Sequence, residues 1–162
     1  NKLSLIADNS GNGIEFHHFN PDIFGSLADS MNRFTIGTMF RIMLPDIMPD
    51  LKKIIYLDSD LFVNTDIEEL WNLNIDNYCL AAAQDCSTIR NWGTPYAVAA
   101  GQTTRDRYFN AGVLCMNLDN IRKNGSLFQQ VMDYLNDNPR TWLPDQDALN
   151  SIFSGETLLR QL

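Results

Sequence analysis

Three short apolar runs set the pattern of this chain. Residues 54–57, 78–83 and 113–116 are too short for helices, and their nearly continuous apolar character is typical of strands buried on both faces of a sheet. The first run leads directly into two acids, Asp58 and Asp60, and the second leads through Gln84 to Asp85. Because ligands bind beyond the carboxyl ends of strands in open α/β sheets, these acids stand where a site is expected.

Helical patterns lie between and after the strands. Residues 35–44 space their apolar side chains as a half-buried helix does; this helix carries Arg41, and we expect Pro45 to stop it. Residues 65–68, beginning at Thr65, have the spacing of a capping box that opens a short helix. Further helices are predicted at residues 126–136 and 145–153, with a helix tail at 2–8 and a short strand at 14–19.

Strands interleaved with helices predict an α/β fold with a mainly parallel central sheet flanked by helices. With 162 residues, 44% of them apolar, the chain has the size and composition of one globular domain. The formal net charge of −8 argues against nucleic acid as a partner, because a phosphate-backbone binder needs clustered Lys and Arg. No apolar run approaches the length of a membrane span.

The cysteines point to a reducing compartment. Cys79, Cys86 and Cys115 are odd in number and form no Cys-x-x-Cys pair, and Cys79 and Cys115 lie within apolar segments. A thiol in that setting commonly serves as a small core residue. We therefore expect reduced cysteines and a cytoplasmic chain.

Asp58 and Asp60 are the strongest candidates for chemistry. Side chains at i and i+2 of an extended chain point the same way, so the two carboxylates would converge and would need a cation between them. Manganese or magnesium prefers oxygen ligands and is typically held by one or two carboxylates together with substrate phosphates. The alternative at this point is a pair of acids that only decorates a strand-to-loop junction, since Asp favours turns.

Four sequence blocks in a fixed order extend this interpretation. They are residues 41–45 (RIMLP), 55–60 (IYLDSD), 108–113 (YFNAGV) and 143–150 (LPDQDALN). Together they resemble glycosyltransferase family 8, the retaining, UDP-sugar-dependent transferases that include lipopolysaccharide galactosyl- and glucosyltransferases and glycogenin. The resemblance implies a Rossmann-like nucleotide-diphospho-sugar transferase fold of the GT-A type.

The resemblance also implies roles for single residues. Asp58 and Asp60 would hold Mn²⁺ or Mg²⁺ against the diphosphate of a UDP-sugar and so stabilise the departing UDP. Asp145 would bind donor hydroxyls, beside Gln146 as the residue nearest the anomeric carbon. Because an amide is a poor nucleophile, Gln146 favours front-face substitution over a covalent intermediate. The implied donor-binding residues are Arg41, Ser59, Asp85, Asn110, Ala111 and Gly112.

The family's pattern continues beyond both ends of this sequence. Its first nucleotide-binding strand would precede residue 1, and a segment whose His completes the metal site would follow residue 162. We therefore expect residues 1–162 to be a fragment of a single catalytic domain and to be inactive alone. The full-length parent would use a saccharide or lipopolysaccharide-type acceptor and could lie peripherally at the inner membrane surface.

Two rival interpretations stay open. A phosphotransferase of the haloacid-dehalogenase type also uses a strand that ends in Asp-x-Asp, with Asp58 as nucleophile and Asp60 as acid. Against it, Phe62 stands where that motif has Thr or Val. The non-enzymatic alternative is a remnant that kept the transferase scaffold without its activity.

Overall fold

The protein is represented by a computed structural model that describes residues 2–18, 20, 36–91 and 93–160. The chain divides into two compact units, Asn1–Gly37 and Thr38–Leu162. In the first unit, helix α1 (Lys2–Ser10) confirms the predicted helix tail, and Gly11 follows it with a φ of 72°. The strand predicted at residues 14–19 is wrong over residues 14–18, which pair with no described strand; residue 19 lies outside the described residues.

The second unit begins with the helix that carries Arg41. A 3₁₀ turn (Ile36–Met39) leads into helix α2 (Phe40–Ile47), so the helix predicted at residues 35–44 starts later and continues past Pro45. Residue 35 lies outside the described residues. The expectation that Pro45 stops the helix is wrong, because the helix continues two residues past it to Ile47. Arg122 Nη1 donates to the carbonyl oxygens of Pro45 at 3.1 Å and Met48 at 3.2 Å, which gives the carbonyl groups at this end of the helix a partner.

A four-stranded mixed sheet forms the centre of this unit. Its strands are β1 (Lys53–Leu57), β2 (Leu80–Gln84), β3 (Phe109–Asn117) and β4 (Thr157–Arg160), in the order β1-β3-β2-β4. Strand β3 is antiparallel to both β1 and β2, and β2 is parallel to β4. The expected mainly parallel sheet therefore needs correction: β1, β2 and β4 share one direction, but β3 separates β1 from β2 and reverses two of the three pairings.

Helices flank the sheet. They are α3 (Ile67–Trp71), α4 (Cys86–Asn91), α5 (Tyr96–Ala99), α6 (Leu118–Lys123), α7 (Leu127–Asp137) and α8 (Pro144–Ile152). The last two confirm the helices predicted at residues 126–136 and 145–153. Helix α3 forms as predicted, but its cap is Asp66, whose side chain accepts a hydrogen bond from the Glu68 N–H at 2.9 Å, rather than Thr65.

Asn150 links helix α8 to the start of β3 through hydrogen bonds. Its side chain is fully buried; Oδ1 accepts from the Phe109 N–H at 2.8 Å, and Nδ2 donates to the Phe109 carbonyl oxygen at 2.8 Å and to the Gln146 carbonyl oxygen at 3.0 Å. One amide thus satisfies both backbone groups of Phe109, where the helix approaches the sheet. This fixes the residues of α8 relative to the residues that follow Phe109 in β3.

Replacing Asn150 with Ala should destabilise the fold. The change leaves the buried N–H and C=O of Phe109 without partners, which should lower the free energy of unfolding by about 2–4 kcal/mol. Urea unfolding of the purified chain measures it. Asn136→Ala, at an exposed position of α7, is the matched control and should stay within about 0.5 kcal/mol of the unchanged chain. Equal stabilities of the two variants would contradict the role given to Asn150.

Candidate functional site

Arg41 lies at the centre of the predicted site. Its side chain is 4% exposed, and its guanidinium reaches three separate elements. Nη2 donates to Asp58 Oδ1 at 2.8 Å, Nε lies 3.3 Å from Asp145 Oδ2, and Nη1 donates to the carbonyl oxygen of Ala111. Nε also donates to the carbonyl oxygen of Thr38 at 2.9 Å. One buried cation therefore joins the end of β1, the start of α8 and the first residues of β3.

Asp58 is held in place from several directions. Besides the Arg41 contact, its Oδ1 accepts a hydrogen bond from Tyr56 Oη at 2.6 Å, and its N–H donates to the Gly112 carbonyl oxygen at 2.8 Å. The Arg41 guanidinium carbon lies 4.6 Å from the centre of the Tyr56 ring, a cation–π distance. Burial, followed by the hydrogen bond to Asp58, raises the pKa of Tyr56. Tyr56 is a site residue that sequence reasoning missed, although it lies two positions before Asp58.

Gly112 leaves room for the Asp58 carboxylate. A Cβ at this position would lie 2.9 Å from Asp58 Oδ2 and 2.9 Å from Asn110 Oδ1. Asn110 Oδ1 itself accepts from the Gly112 N–H at 2.8 Å, so the Asn110 side chain is folded back over its own strand. The sequence therefore needs glycine here because two polar side chains already occupy the space that a side chain would fill.

The Gln146 amide is fixed at both ends. Oε1 accepts from the Ala111 N–H at 3.0 Å, and Nε2 donates to Asp85 Oδ2 at 2.8 Å and to Tyr108 Oη at 3.2 Å. Both Nε2 hydrogens are thereby used, while one lone pair of Oε1 is left. Gln146 is buried, so these contacts set the orientation in which its oxygen can meet a ligand.

Asp85 joins the site and also begins a helix. Its carboxylate is 2% exposed and accepts from the Thr88 N–H at 2.8 Å and from Thr88 Oγ1 at 2.5 Å, in addition to Gln146. Those two bonds cap helix α4. The predicted donor-binding residue thus has a structural role that fixes its carboxylate beside the Gln146 amide.

The carboxylates of α8 are buried but differ in their partners. Desolvation raises the pKa of Asp145, and Arg41 opposes this rise. Asp147, which was given no role from the sequence, accepts from Tyr108 Oη at 3.0 Å, Thr141 Oγ1 at 2.6 Å and the Ala97 N–H at 3.2 Å. Burial raises the pKa of Asp147, and the bond from Thr141 is the largest opposing effect. Asp147 therefore positions Tyr108, which in turn contacts Gln146.

Ser59 and Asp60 lie outside this bonded cluster. The strand ends at Leu57, and Ser59 and Asp60 form an exposed turn, so the expected extended geometry from Asp58 to Asp60 is wrong. Among the described residues, no group of three His, Cys, Asp or Glu side chains could hold a metal ion, and Asp60 makes no hydrogen bond or ion pair. Asp58 Oδ2 and Asp60 nonetheless offer the hard oxygen donors that suit Mn²⁺ or Mg²⁺.

The model of the family described as Glycosyl transferase family 8 matches residues 6–159. General stress protein A of Bacillus subtilis is 31% identical over 144 residues, which are 86% of this chain and 48% of that protein. A putative glycosyltransferase of Haemophilus influenzae is 34% identical over 134 residues, which are 82% of this chain and 40% of that protein. The chain spans about half the length of these curated relatives or less.

A solved structure shares the fold. The galactosyltransferase LgtC, crystallised in complex with donor and acceptor sugar analogs, matches with a TM-score of 0.82 and 26% identity over 99% of this chain and 58% of that chain. This confirms the expected GT-A transferase fold. The family match contradicts the phosphotransferase interpretation of Asp58.

In the described part of the chain, no helix is long and apolar enough to cross a membrane.

Adding one methyl group at Gly112 should disturb this site. Gly112→Ala forces the new Cβ against a carboxylate that Arg41 and Tyr56 hold in place, and such overpacking typically costs about 1–3 kcal/mol of unfolding free energy. Urea unfolding measures the loss. Gly155→Ala is the matched control, because nothing lies within 4 Å of its added Cβ, and it should change stability by less than about 0.5 kcal/mol. Equal effects of the two substitutions would show that the space beside Asp58 is not restricted.

Proposed function

The chain belongs to glycosyl transferase family 8, and on that premise we propose that its full-length parent transfers a hexose from a UDP-sugar to a saccharide or glycolipid acceptor with retention of anomeric configuration. The observation that carries this proposal is the buried Arg41 cluster, which joins Asp58, Asp145 and the Ala111 peptide. We place the reaction in the cytoplasm, or at the inner membrane surface for a lipopolysaccharide-type acceptor.

The donor's phosphates would meet the Arg41 end of the cluster. Arg41 has five N–H groups, and contacts with described residues use Nε, one hydrogen of Nη1 and one of Nη2. Two N–H groups are left for a diphosphate, which a guanidinium binds well because of its planar fork of donors. Backbone groups of Ser59 would meet the nucleoside.

Asp58 and Asp60 would hold the divalent metal. Asp58 Oδ2 accepts no hydrogen bond from a described residue, and Asp60 is exposed on the adjoining turn. A bound Mn²⁺ or Mg²⁺ supplies Lewis-acid stabilisation of the departing diphosphate. Since two carboxylates are few for tight binding without substrate phosphates, we expect metal and UDP to bind together.

The sugar would meet Asp145, Asn110 and Gln146. Asp145 can accept hydrogen bonds from ring hydroxyls, because its partner Arg41 leaves carboxylate lone pairs available. The free lone pair of Gln146 Oε1 can stabilise positive charge that develops on the ring, while its Nε2 group stays bound to Asp85 and Tyr108. An amide held in this way favours front-face substitution over a covalent glycosyl intermediate.

UDP release by the full-length parent tests this proposal. A panel of UDP-sugars with Mn²⁺ should identify at least one donor, and chelation of the metal should abolish release. Asp58→Asn and Asp60→Asn should each lower kcat/KM by about 100-fold or more, because each removes a metal-ligand charge. Asp137→Asn, which removes an exposed carboxylate at the end of α7, should leave the rate unchanged.

Three results would contradict parts of the proposal. Failure of the parent to release UDP from any UDP-sugar would favour the non-catalytic remnant. Product of inverted anomeric configuration, read from the NMR coupling of the new linkage, would exclude the retaining mechanism. Calorimetric titration of the 162-residue chain with UDP and Mn²⁺ should give binding weaker than micromolar, and micromolar affinity would show that the chain holds a complete site.

A further inference from the structure

A cavity lined mainly by polar and charged residues lies at the carboxyl end of β2. Its volume is about 370 Å³, and it is lined by Gln84, Cys86, Arg90, Arg105 and Asp106. Gln84 and Cys86 are the immediate neighbours of Asp85 in the chain, at the carboxyl end of β2. The cavity is therefore built on the same strand end that presents Asp85 to Gln146.

Most guanidinium N–H groups of the two arginines in this cavity form no hydrogen bond with a described residue. Arg90 lies in the last turn of α4, is exposed, and forms no hydrogen bond or ion pair with another described residue. Arg105 Nη2 donates to Thr94 Oγ1, and its other guanidinium N–H groups bond to no described residue. The backbone of Arg105 is fastened to the strand, because Gln84 Nε2 donates to its carbonyl oxygen at 3.3 Å. Two guanidinium groups thus face one small space with most of their donors unused.

One acid, Asp106, lies in the lining beside the two arginines. A hydrogen bond from the Thr104 side chain, and then one from its own backbone, lower the pKa of Asp106, with Arg107 adding a smaller effect in the same direction, so this carboxylate keeps its negative charge. Asp106 forms no ion pair with Arg90 or Arg105. In a chain with a net charge of −8, a cavity lined by two arginines and one acid is a local excess of positive charge.

We propose that this cavity binds an anionic group, a phosphate or carboxylate, carried by the acceptor sugar. Guanidinium groups bind both anions through paired N–H donors, and a cavity of this size holds such a group together with part of a sugar ring. The cavity is lined by both chain neighbours of Asp85, whose carboxylate accepts a hydrogen bond from Gln146 at the proposed donor site, so an acceptor bound there would meet the same strand end. The acceptor assignment rests on the proposed transferase function; the binding of the anion does not.

Cys86 provides a direct probe. It is exposed and lines the cavity, whereas Cys79 and Cys115 are buried, so an uncharged thiol reagent such as dithiodipyridine should label Cys86 first in the folded chain. Glucose-6-phosphate or glucuronate should slow this labelling, and neutral glucose should not. Protection by glucose-6-phosphate should need a concentration about tenfold lower than protection by inorganic phosphate, because the sugar ring adds contacts.

Substitutions locate the effect. Arg90→Gln and Arg105→Gln should each raise the concentration of glucose-6-phosphate needed for protection by about tenfold. Both residues are exposed, so both variants should fold, and circular dichroism checks this. Arg140→Gln removes the same charge from an exposed turn elsewhere and should leave protection unchanged. Protection that persists in both cavity variants, or that is lost in Arg140→Gln, would overturn the site.

The same assay distinguishes an anion carried by a sugar from free inorganic phosphate. Equal protection by inorganic phosphate and glucose-6-phosphate would overturn the acceptor assignment, since the sugar would then add nothing. The labelling assay contains no UDP-sugar. If Cys86 is protected but the full-length parent releases no UDP, the anion site is supported and the transferase function is contradicted. If the parent releases UDP but Cys86 is not protected, the transferase function is supported and the anion site is contradicted.

Discussion

The structure depends on one buried cation. Arg41 lies almost entirely out of water between the carboxylates of Asp58 and Asp145, and it also binds the carbonyl oxygen of Ala111. Removing one partner from a buried charge cluster is costly, because the charges that are left have lost both water and counterion. The chain therefore has to bring the ends of β1, β3 and α8 together around this guanidinium.

This constraint also orders the groups around it. The Ala111 peptide accepts from Arg41 through its carbonyl group and donates to Gln146 through its N–H, and Gln146 then donates to Asp85. Hydrogen bonds thus run without a break from the acid at the end of β1 to the acid after β2. A charge bound near Arg41 and a sugar bound near Gln146 would therefore contact the same hydrogen-bonded network. This is the physical basis for assigning the donor phosphates to the Arg41 end of the network and the sugar to the Gln146 end.

Much of this arrangement could be predicted from the sequence, and the failures have identifiable causes. The apolar run at 54–57 predicted Asp58 at a strand end, and the family resemblance of residues 143–150 pointed to Asp145 and Gln146; the structure brings all three close to Arg41 or to Ala111. Both signals are local in the sequence. The direction of β3 could not be predicted, because a strand with both faces covered has the same apolar pattern in parallel and antiparallel pairings. Asp147 was missed because its partners Tyr108 and Ala97 are distant in sequence. Tyr56 was missed because an apolar strand pattern gives an aromatic residue no polar role, although its hydroxyl donates to Asp58 two residues on.

A double-mutant cycle between Arg41 and Asp145 tests the central claim most directly. Urea unfolding of Arg41→Gln, Asp145→Asn and the double variant gives the coupling energy between the two side chains. We expect a coupling of about 2 kcal/mol, larger than that of the exposed pair Arg122–Asp119 measured in the same way. A coupling below about 0.5 kcal/mol, no larger than that of the surface pair, would show that the buried cation does not hold this site together.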